Sequence, residues 1–227
     1  MLVMTWTDLG NPYPRAEPRP YKPVEWSIGS PFYLPAPTEQ ISLLPFDAVI
    51  ERRRTRRQFG LVNISTLSHW LWLTGREQAQ GHSRYGFSLN KRPVSSAGAI
   101  HPIHIILSLP DKDGWYLYLP DQHALAKLEQ KNIPRASIRA ELLPVIDVQE
   151  GITIRLVAEP GKTSAKYENA ASLVWRDAGV LIGHMSLVAE ALACNFCPLG
   201  ITGHEWCQNS ELQDSLAGVG LAIIGSR

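Results

Sequence analysis

Apolar positions along the chain fall into two rhythms. In Phe46-Asp47-Ala48-Val49-Ile50-Glu51-Arg52-Arg53-Arg54 the residues Phe46, Val49 and Ile50 lie on one face of a short helix. Ile64, Leu67, Leu71 and Thr74 repeat the helical spacing behind Asn63, a suitable N-cap, and Gly75 stops the run. Residues 104–109 and 115–119 are β-rich and flank Pro110-Asp111-Lys112-Asp113-Gly114. That is a hairpin signal, because Asp-Gly tolerates the positive φ of the turn. A polar helix is expected over residues 121–130 and an alternating strand over 152–158. Residues 164–195 read as mostly helical with one break, 211–216 as a short helix and 220–225 as a final strand. Helices and strands interspersed in this way predict an α+β fold.

The first 45 residues have a different texture. Nine of the 17 prolines lie there, and proline fixes φ and removes a backbone donor, so neither a long helix nor a central strand is available. The segment reads as an extended arm, 1–45, ahead of a folded domain, 46–227. It also carries Trp6, Tyr13, Tyr21, Trp26, Phe32 and Tyr33, apolar rings that predict docking on its own domain or on a partner subunit.

Composition narrows the function classes. Of the 227 residues, 44% are hydrophobic and 19% charged, with a net charge of +1. That is ordinary for a globular protein and supplies no basic surplus for nucleic acid. Three cysteines do not make a disulfide framework. A reducing, cytoplasmic setting is the expectation, with no signal peptide over residues 1–10. Residues 178–197 imitate a membrane span but include His184, Glu190 and Asn195, so a buried core helix is expected, not a membrane-spanning one.

Four local features carry possible chemistry. Arg52-Arg53-Arg54-Thr55-Arg56-Arg57 places five guanidiniums and a hydroxyl within six residues. Such forks match phosphate oxygens, although most arginine runs are solvated faces. In Ser95-Ser96-Ala97-Gly98-Ala99 small side chains let backbone approach a flat ligand; an ordinary loop has the same composition. Lys166-Tyr167 is an acid/base pair if burial shifts it and a surface pair otherwise. Cys194, Cys197, His204 and Cys207 have an order that could ligate zinc; packed thiols are the preferred reading and no metal is assigned. Gly179 and Gly183, four apart in an apolar helix, permit close helix packing, across a dimer among other places. No Walker-type or Gly-x-Gly-x-x-Gly phosphate loop and no Gly-x-Ser-x-Gly elbow is present.

Taken in order, these segments resemble the FMN-dependent nitroreductase superfamily, in its SagB/ThcOx-type dehydrogenase branch of azoline oxidases. Arg53-Arg54-Thr55-Arg56-Arg57-Gln58-Phe59 is similar to the opening Arg-rich motif. Ser95-Ser96-Ala97-Gly98-Ala99-Ile100-His101-Pro102 is similar to Pro-Ser-Ala-Gly-Ala-Leu-Tyr-Pro, with Ser95 and His101 departing from it. Gly114-Trp115-Tyr116-Leu117-Tyr118, Lys166-Tyr167, Asp177-Ala178-Gly179 and Gly225-Ser226-Arg227 follow in the family's order.

The resemblance implies a central, mostly antiparallel sheet flanked by helices in a homodimer, with FMN at the subunit interface. It implies that Arg53, Arg54, Thr55, Arg57 and Arg227 hold the phosphate and ribityl chain. Ser95, Ser96, Gly98 and Ala99 would line the isoalloxazine, with Leu199, Gly200 and Ile201 near its other face. Lys166 and Tyr167 would be the catalytic proton-transfer pair. The implied activity is hydride transfer between flavin and a small-molecule or peptide substrate. That is either azoline oxidation or NAD(P)H-dependent reduction of nitro and quinone compounds. A non-catalytic flavin-fold subunit that binds a partner protein or carrier peptide, with the arm as a clamp, is the alternative.

Overall fold

The computed structural model describes residues 6–37, 43–129, 141–148, 150–210, 212 and 216–227. Its elements run β1 (Tyr13–Pro14), β2 (Phe32–Tyr33), α1 (Phe46–Arg52), α2 (Ile64–Gly75), β3 (Ala79–Gly81), β4 (Leu89–Lys91), β5 (Ile103–Ser108), β6 (Tyr116–Leu119) and β7 (Ala124–Lys127). Then come β8 (Ile152–Ala158), α3 (Pro160–Lys166), β9 (Tyr167–Glu168), α4 (Ala171–Ala191), β10 (Cys194–Leu199), α5 (His204–Gln208) and β11 (Ala217–Ser226). Seven strands form one sheet in the order β10-β11-β8-β5-β6-β7-β2. Every neighbouring pair in it is antiparallel. The α+β expectation and its antiparallel sheet are met.

The sheet has two clothed faces. In the central strand β8, Ile152, Ile154, Leu156 and Ala158 face the larger core with Leu67, Trp70 and Leu71 of α2 and Val174, Ala178, Leu181 and Met185 of α4. Trp70 Nε1 donates to the Met185 carbonyl across the two helices (3.2 Å). Val157 turns to the opposite face, with Ile106, Trp115, Leu117 and Trp206. Arg155 is fully buried on that same strand, its guanidinium between the Trp115 and Trp206 rings and paired with Glu141. The two faces explain why all seven residues of β8 are buried where one-sided alternation was expected.

Several local expectations hold. Asn63 caps α2 by accepting from the Thr66 N–H (2.8 Å), and Gly114 takes φ 93° in the β5–β6 connection. The helical region 164–195 is broken at residues 167–170, between α3 and α4.

Others are corrected. Residues 121–130 are not a polar helix: a turn with His123 at φ 47° leads into β7. Pairing of β7 with β6, Leu119 opposite Ala124 and Leu117 opposite Ala126, overrides the helix propensity of Ala and Leu. Gln130 itself lies outside the described residues. Cys194 does not end a helix but opens β10, an edge strand where Pro198 is tolerated. In α1 only Val49 is buried, while Phe46 and Ile50 are exposed. Of the helix expected over 211–216, residues 211 and 213–215 lie outside the described residues.

The arm lies along the domain. β1 pairs with β9. The amides of Arg15 and Arg19 donate to the carbonyls of Lys166 (2.9 Å) and Ala165 (3.0 Å), and that of Tyr21 to Tyr85 (2.8 Å). A Cβ on Gly161 of α3 would come within 2.1 Å of the Tyr21 ring. Farther along, the Val24 N–H donates to Glu159 (2.5 Å) and Trp26 meets His104 edge-on. β2 closes the sheet against β7. Tyr21 and Trp26 therefore dock as expected, whereas Trp6, Tyr13, Phe32 and Tyr33 keep their rings exposed.

Candidate functional site

Loop 95–101 is held in a left-handed path. Gly98, Ala99 and His101 have φ of 64°, 57° and 48°, and for a residue with a Cβ this region is unfavourable. Buried Asp177 of α4 holds the loop there. It accepts from Ser96 Oγ (2.6 Å) and from the Ala97 N–H (3.0 Å). Ser96 Oγ in turn accepts from the His101 N–H (3.0 Å), and the Ser96 carbonyl from the Ala99 N–H (3.1 Å).

This loop meets the Lys166-Tyr167 pair. Lys166 ends α3 and donates from Nζ to the Gly98 carbonyl (3.4 Å). Its ammonium stands 5.7 Å from the Tyr85 ring centre and 5.6 Å from that of Tyr167, within cation–π range. A Cβ on Gly98 would lie 2.7 Å from Lys166 Nζ and 2.8 Å from the Tyr167 hydroxyl. Only a glycine lets the three come together.

At its other end α3 is fixed by Glu159, which is fully buried. Glu159 pairs with His104 Nε2 (2.9 Å) and Lys162 Nζ (3.2 Å). Burial opposes its charge, but His104, Lys162 and the Val24 N–H together hold its carboxyl below the usual range. Burial pushes His104 down, with its hydrogen bond to Glu159 opposing the shift. His101, on the loop, is pushed down to about 4 by burial first and then by Arg92.

A second group lies at the far end of α4. Arg53, Arg54, Thr55 and Arg57 are exposed on the segment that leaves α1. Arg56 turns inward to Glu190 of α4 (3.3 Å), whose other oxygen takes Arg227 (2.6 Å). The Gly60–Ser226 bridge fixes this segment to the end of β11. Asp177 and Glu190 are separated by about 20 Å along α4, at ~1.5 Å per residue.

Leu199, Gly200 and Ile201 form a third group. Leu199 and Ile201 pack against Leu221 and Ile223. Gly200 is exposed, and a Cβ there would touch nothing within 4 Å. One chain thus gathers Ser96, Gly98, Lys166 and Tyr167, with Ser95 and Ala99 exposed on the same loop, but leaves the arginines and the Leu199–Ile201 segment apart from them.

The cysteines do not share a site. Cys194 belongs to the larger core and Cys207 to the Trp115–Trp206 layer. Burial raises the thiols of Cys194 and Cys207 to about 11 and 12. Among the described residues no His, Cys, Asp and Glu group is placed to hold a metal ion.

Sequence reasoning gave no role to Asp177 and Glu190. The available signal was an acid inside an apolar helix, a residue type rarely buried unless paired. Nor did it give a role to Tyr85, or to Arg92, which opens the small-residue segment running to Pro102.

No family model and no curated protein matches the sequence. Solved structures do. A protein from Ralstonia eutropha JMP134 assigned as a nitroreductase superposes with a TM-score of 0.68 at 18% identity, over 92% of this chain and 97% of that one. A chain of the E. coli microcin synthetase McbBCD complex with truncated pro-MccB17 bound gives 0.57 at 15%, over 78% and 72%. A protein from Staphylococcus epidermidis ATCC 12228 assigned as an NAD(P)H:FMN oxidoreductase gives 0.53 at 8%, over 85% and 91%. At these identities the likeness is one of architecture, and on that ground the chain has the nitroreductase fold.

Proposed function

We propose that the chain is an FMN-dependent oxidoreductase that works as a homodimer. The observation that carries the reading is the meeting of the Asp177-anchored loop with Lys166 and Tyr167, on a fold shared with an NAD(P)H:FMN oxidoreductase. The donor set suits FMN. Exposed Arg53, Arg54, Thr55 and Arg57, with Arg227 held by Glu190, would take the phosphate and ribityl chain. Ser95, Ser96, Gly98 and Ala99 offer a surface of small side chains to a flat ring, and open Gly200 would admit the other face. A bound flavin supplies the hydride chemistry. Lys166 Nζ and the Tyr167 hydroxyl hold or move the proton at the substrate.

The separation of the two groups along α4 favours a site shared between subunits. α4 exposes Trp175, Gly179, Val180 and Gly183 near its middle. An antiparallel two-fold packing of α4 against its copy through this face would bring the Asp177 end of one helix nearer to the Glu190 end of the other than the two lie within one chain. The microcin synthetase neighbour, solved with truncated pro-MccB17 bound, supports a peptide substrate, for which azoline oxidation is the reaction the sequence resemblance implies. The NAD(P)H:FMN oxidoreductase neighbour supports reduction of a small molecule by NAD(P)H. Among the described residues no helix is long and apolar enough to cross a membrane.

The test is the visible spectrum of the purified protein, with acid release of any chromophore. FMN at about one per chain is expected; a colourless protein that cannot be reconstituted with FMN would refute the reading. Lys166→Ala should then abolish azoline oxidation while FMN stays bound. Oxidation retained in that variant removes Lys166 from its role.

A further inference from the structure

A cleft of about 400 Å³ opens between the β3–β4 hairpin and the loop at Ser95, within the range of small-ligand pockets. Gln80, Asn90, Arg92, Ser95, Ala99 and His101 line it. Behind the loop, Arg92 also borders a small void of about 20 Å³ with Ser96, His101 and Asp177. Arg92 therefore borders both spaces, next to the loop that meets Lys166.

Its charge is not answered. Nε is buried without a hydrogen-bond partner. Glu77 and Asp121 act on it through charge, without a hydrogen bond among the described residues, and Glu77 is engaged by Asn90. Burial disfavours the charged guanidinium, and although Arg92 keeps some exposure, a cation partly withdrawn from water gains from a bonded anion. Asp177, which shares the small void, is already engaged by Ser96 Oγ and the Ala97 N–H. His101 is neutral, its ring bonded to the Asn90 carbonyl, and it senses the positive fields of Arg92 and Lys162. A guanidinium fork matches a carboxylate with two parallel hydrogen bonds.

We propose that this cleft is a carboxylate-binding subsite, in which Arg92 takes the acid group of a planar substrate whose ring lies along Ser95–Ala99. The assignment rests on the flavin reading for what the ring does there, but not for the binding itself. It narrows the substrate to rings that carry a free carboxylate, as free acids or at the C-terminus of a peptide.

Thiazole-4-carboxylate and thiazole-4-carboxamide are the probes, nearly equal in shape and different in charge. Each is titrated into FMN-loaded protein, read by the flavin difference spectrum, and into flavin-free protein, read by tryptophan fluorescence. The carboxylate should bind at least about tenfold tighter than the amide in both forms. Arg92→Met and Arg92→Gln should reduce the preference to within about twofold, and Arg92→Lys should keep part of it. Thermal melts identify any variant that fails to fold, and the other substitutions then decide. Equal affinity for the two probes, no binding of either, or a preference that survives loss of the guanidinium overturns the proposal. So does inorganic phosphate outcompeting the carboxylate at Arg92. A protein that takes no FMN yet prefers the carboxylate through Arg92 refutes the flavin reading alone. One that binds FMN but shows no preference refutes the subsite alone.

Discussion

Replacing Asp177 by Ala removes the acceptor for both Ser96 Oγ and the Ala97 N–H. Hydrogen bonds to a charged group contribute about 1.5–3 kcal/mol each, and a buried donor left unsatisfied costs about 1–3 kcal/mol. Asp177 is only 7% exposed, whereas Ser96 and Ala97 are half-buried, so solvent rescues the stranded donors only in part. Relief of burying the carboxylate offsets part of the loss, and the net destabilisation should be about 3 kcal/mol. With a urea m-value of about 3 kcal/mol/M, the midpoint falls by about 1 M. Asp177→Asn keeps an acceptor for the Ala97 N–H and should lose roughly half as much. Arg176→Ala is the control: its exposed side chain bonds only Ser172 on the same helix, so the change should stay within about 0.5 kcal/mol. In Asp177→Ala the loop also loses what holds Gly98, Ala99 and His101 at positive φ, so FMN occupancy should fall with stability. An Asp177→Ala midpoint within about 0.3 M of the parent, with FMN retained, would show that the carboxylate does not anchor the loop.

Other perturbations have equally definite outcomes. Gly98→Ala sets a methyl against Lys166 Nζ and the Tyr167 hydroxyl at positive φ; stability should drop by about 1 kcal/mol and turnover by at least about tenfold, with FMN still bound. His101 and His123 are both held down to about 4, mainly by burial. The unfolded chain therefore takes up protons below about 6.5 that the folded chain refuses. Stability is complete above that pH and falls as pH drops towards 4, by up to about 1.4 kcal/mol per unit for each histidine. Urea melts between pH 7 and 4.5 measure the slope, and a flat profile contradicts the burial argument. Glu190→Ala frees Arg56 and Arg227, and the preference for FMN over riboflavin in equilibrium titrations should shrink by at least about tenfold. Gly161→Ala pushes a methyl into the Tyr21 ring; the arm should then be cut faster in limited proteolysis while the core survives.

The elements most legible in the sequence were those whose local signals agree with their tertiary setting. α2 has an Asn cap, helical spacing and a glycine stop, and β5–β6 has an Asp-Gly turn. β7 was misread because Ala124, Leu125 and Ala126 favour a helix until β6 pairs with them. β10 was hidden because the apolar run of α4 continues into it past Leu192, and only Ala193, at φ 54°, marks the break. At the candidate site the small-residue loop and Lys166-Tyr167 could be picked out as segments. Their meeting could not, since it depends on a 68-residue separation closed by the sheet. Asp177 and Glu190 act through burial, and burial is a property of the packed molecule.

The arm imposes an order on folding. Tyr13 pairs with Glu168, and Phe32 with Leu125, so the arm's partners are synthesised long after the arm itself. At ~5–20 residues per second, residues 13–14 wait about 8–30 s on the ribosome before β9 exists. Their proline-rich sequence suits that interval, since it can neither commit to a helix nor supply a full strand ladder to a wrong neighbour. The strap over α3 can be fastened only once residues 165–168 have been made, so the helix that ends in Lys166 takes its cover from the earliest described part of the chain.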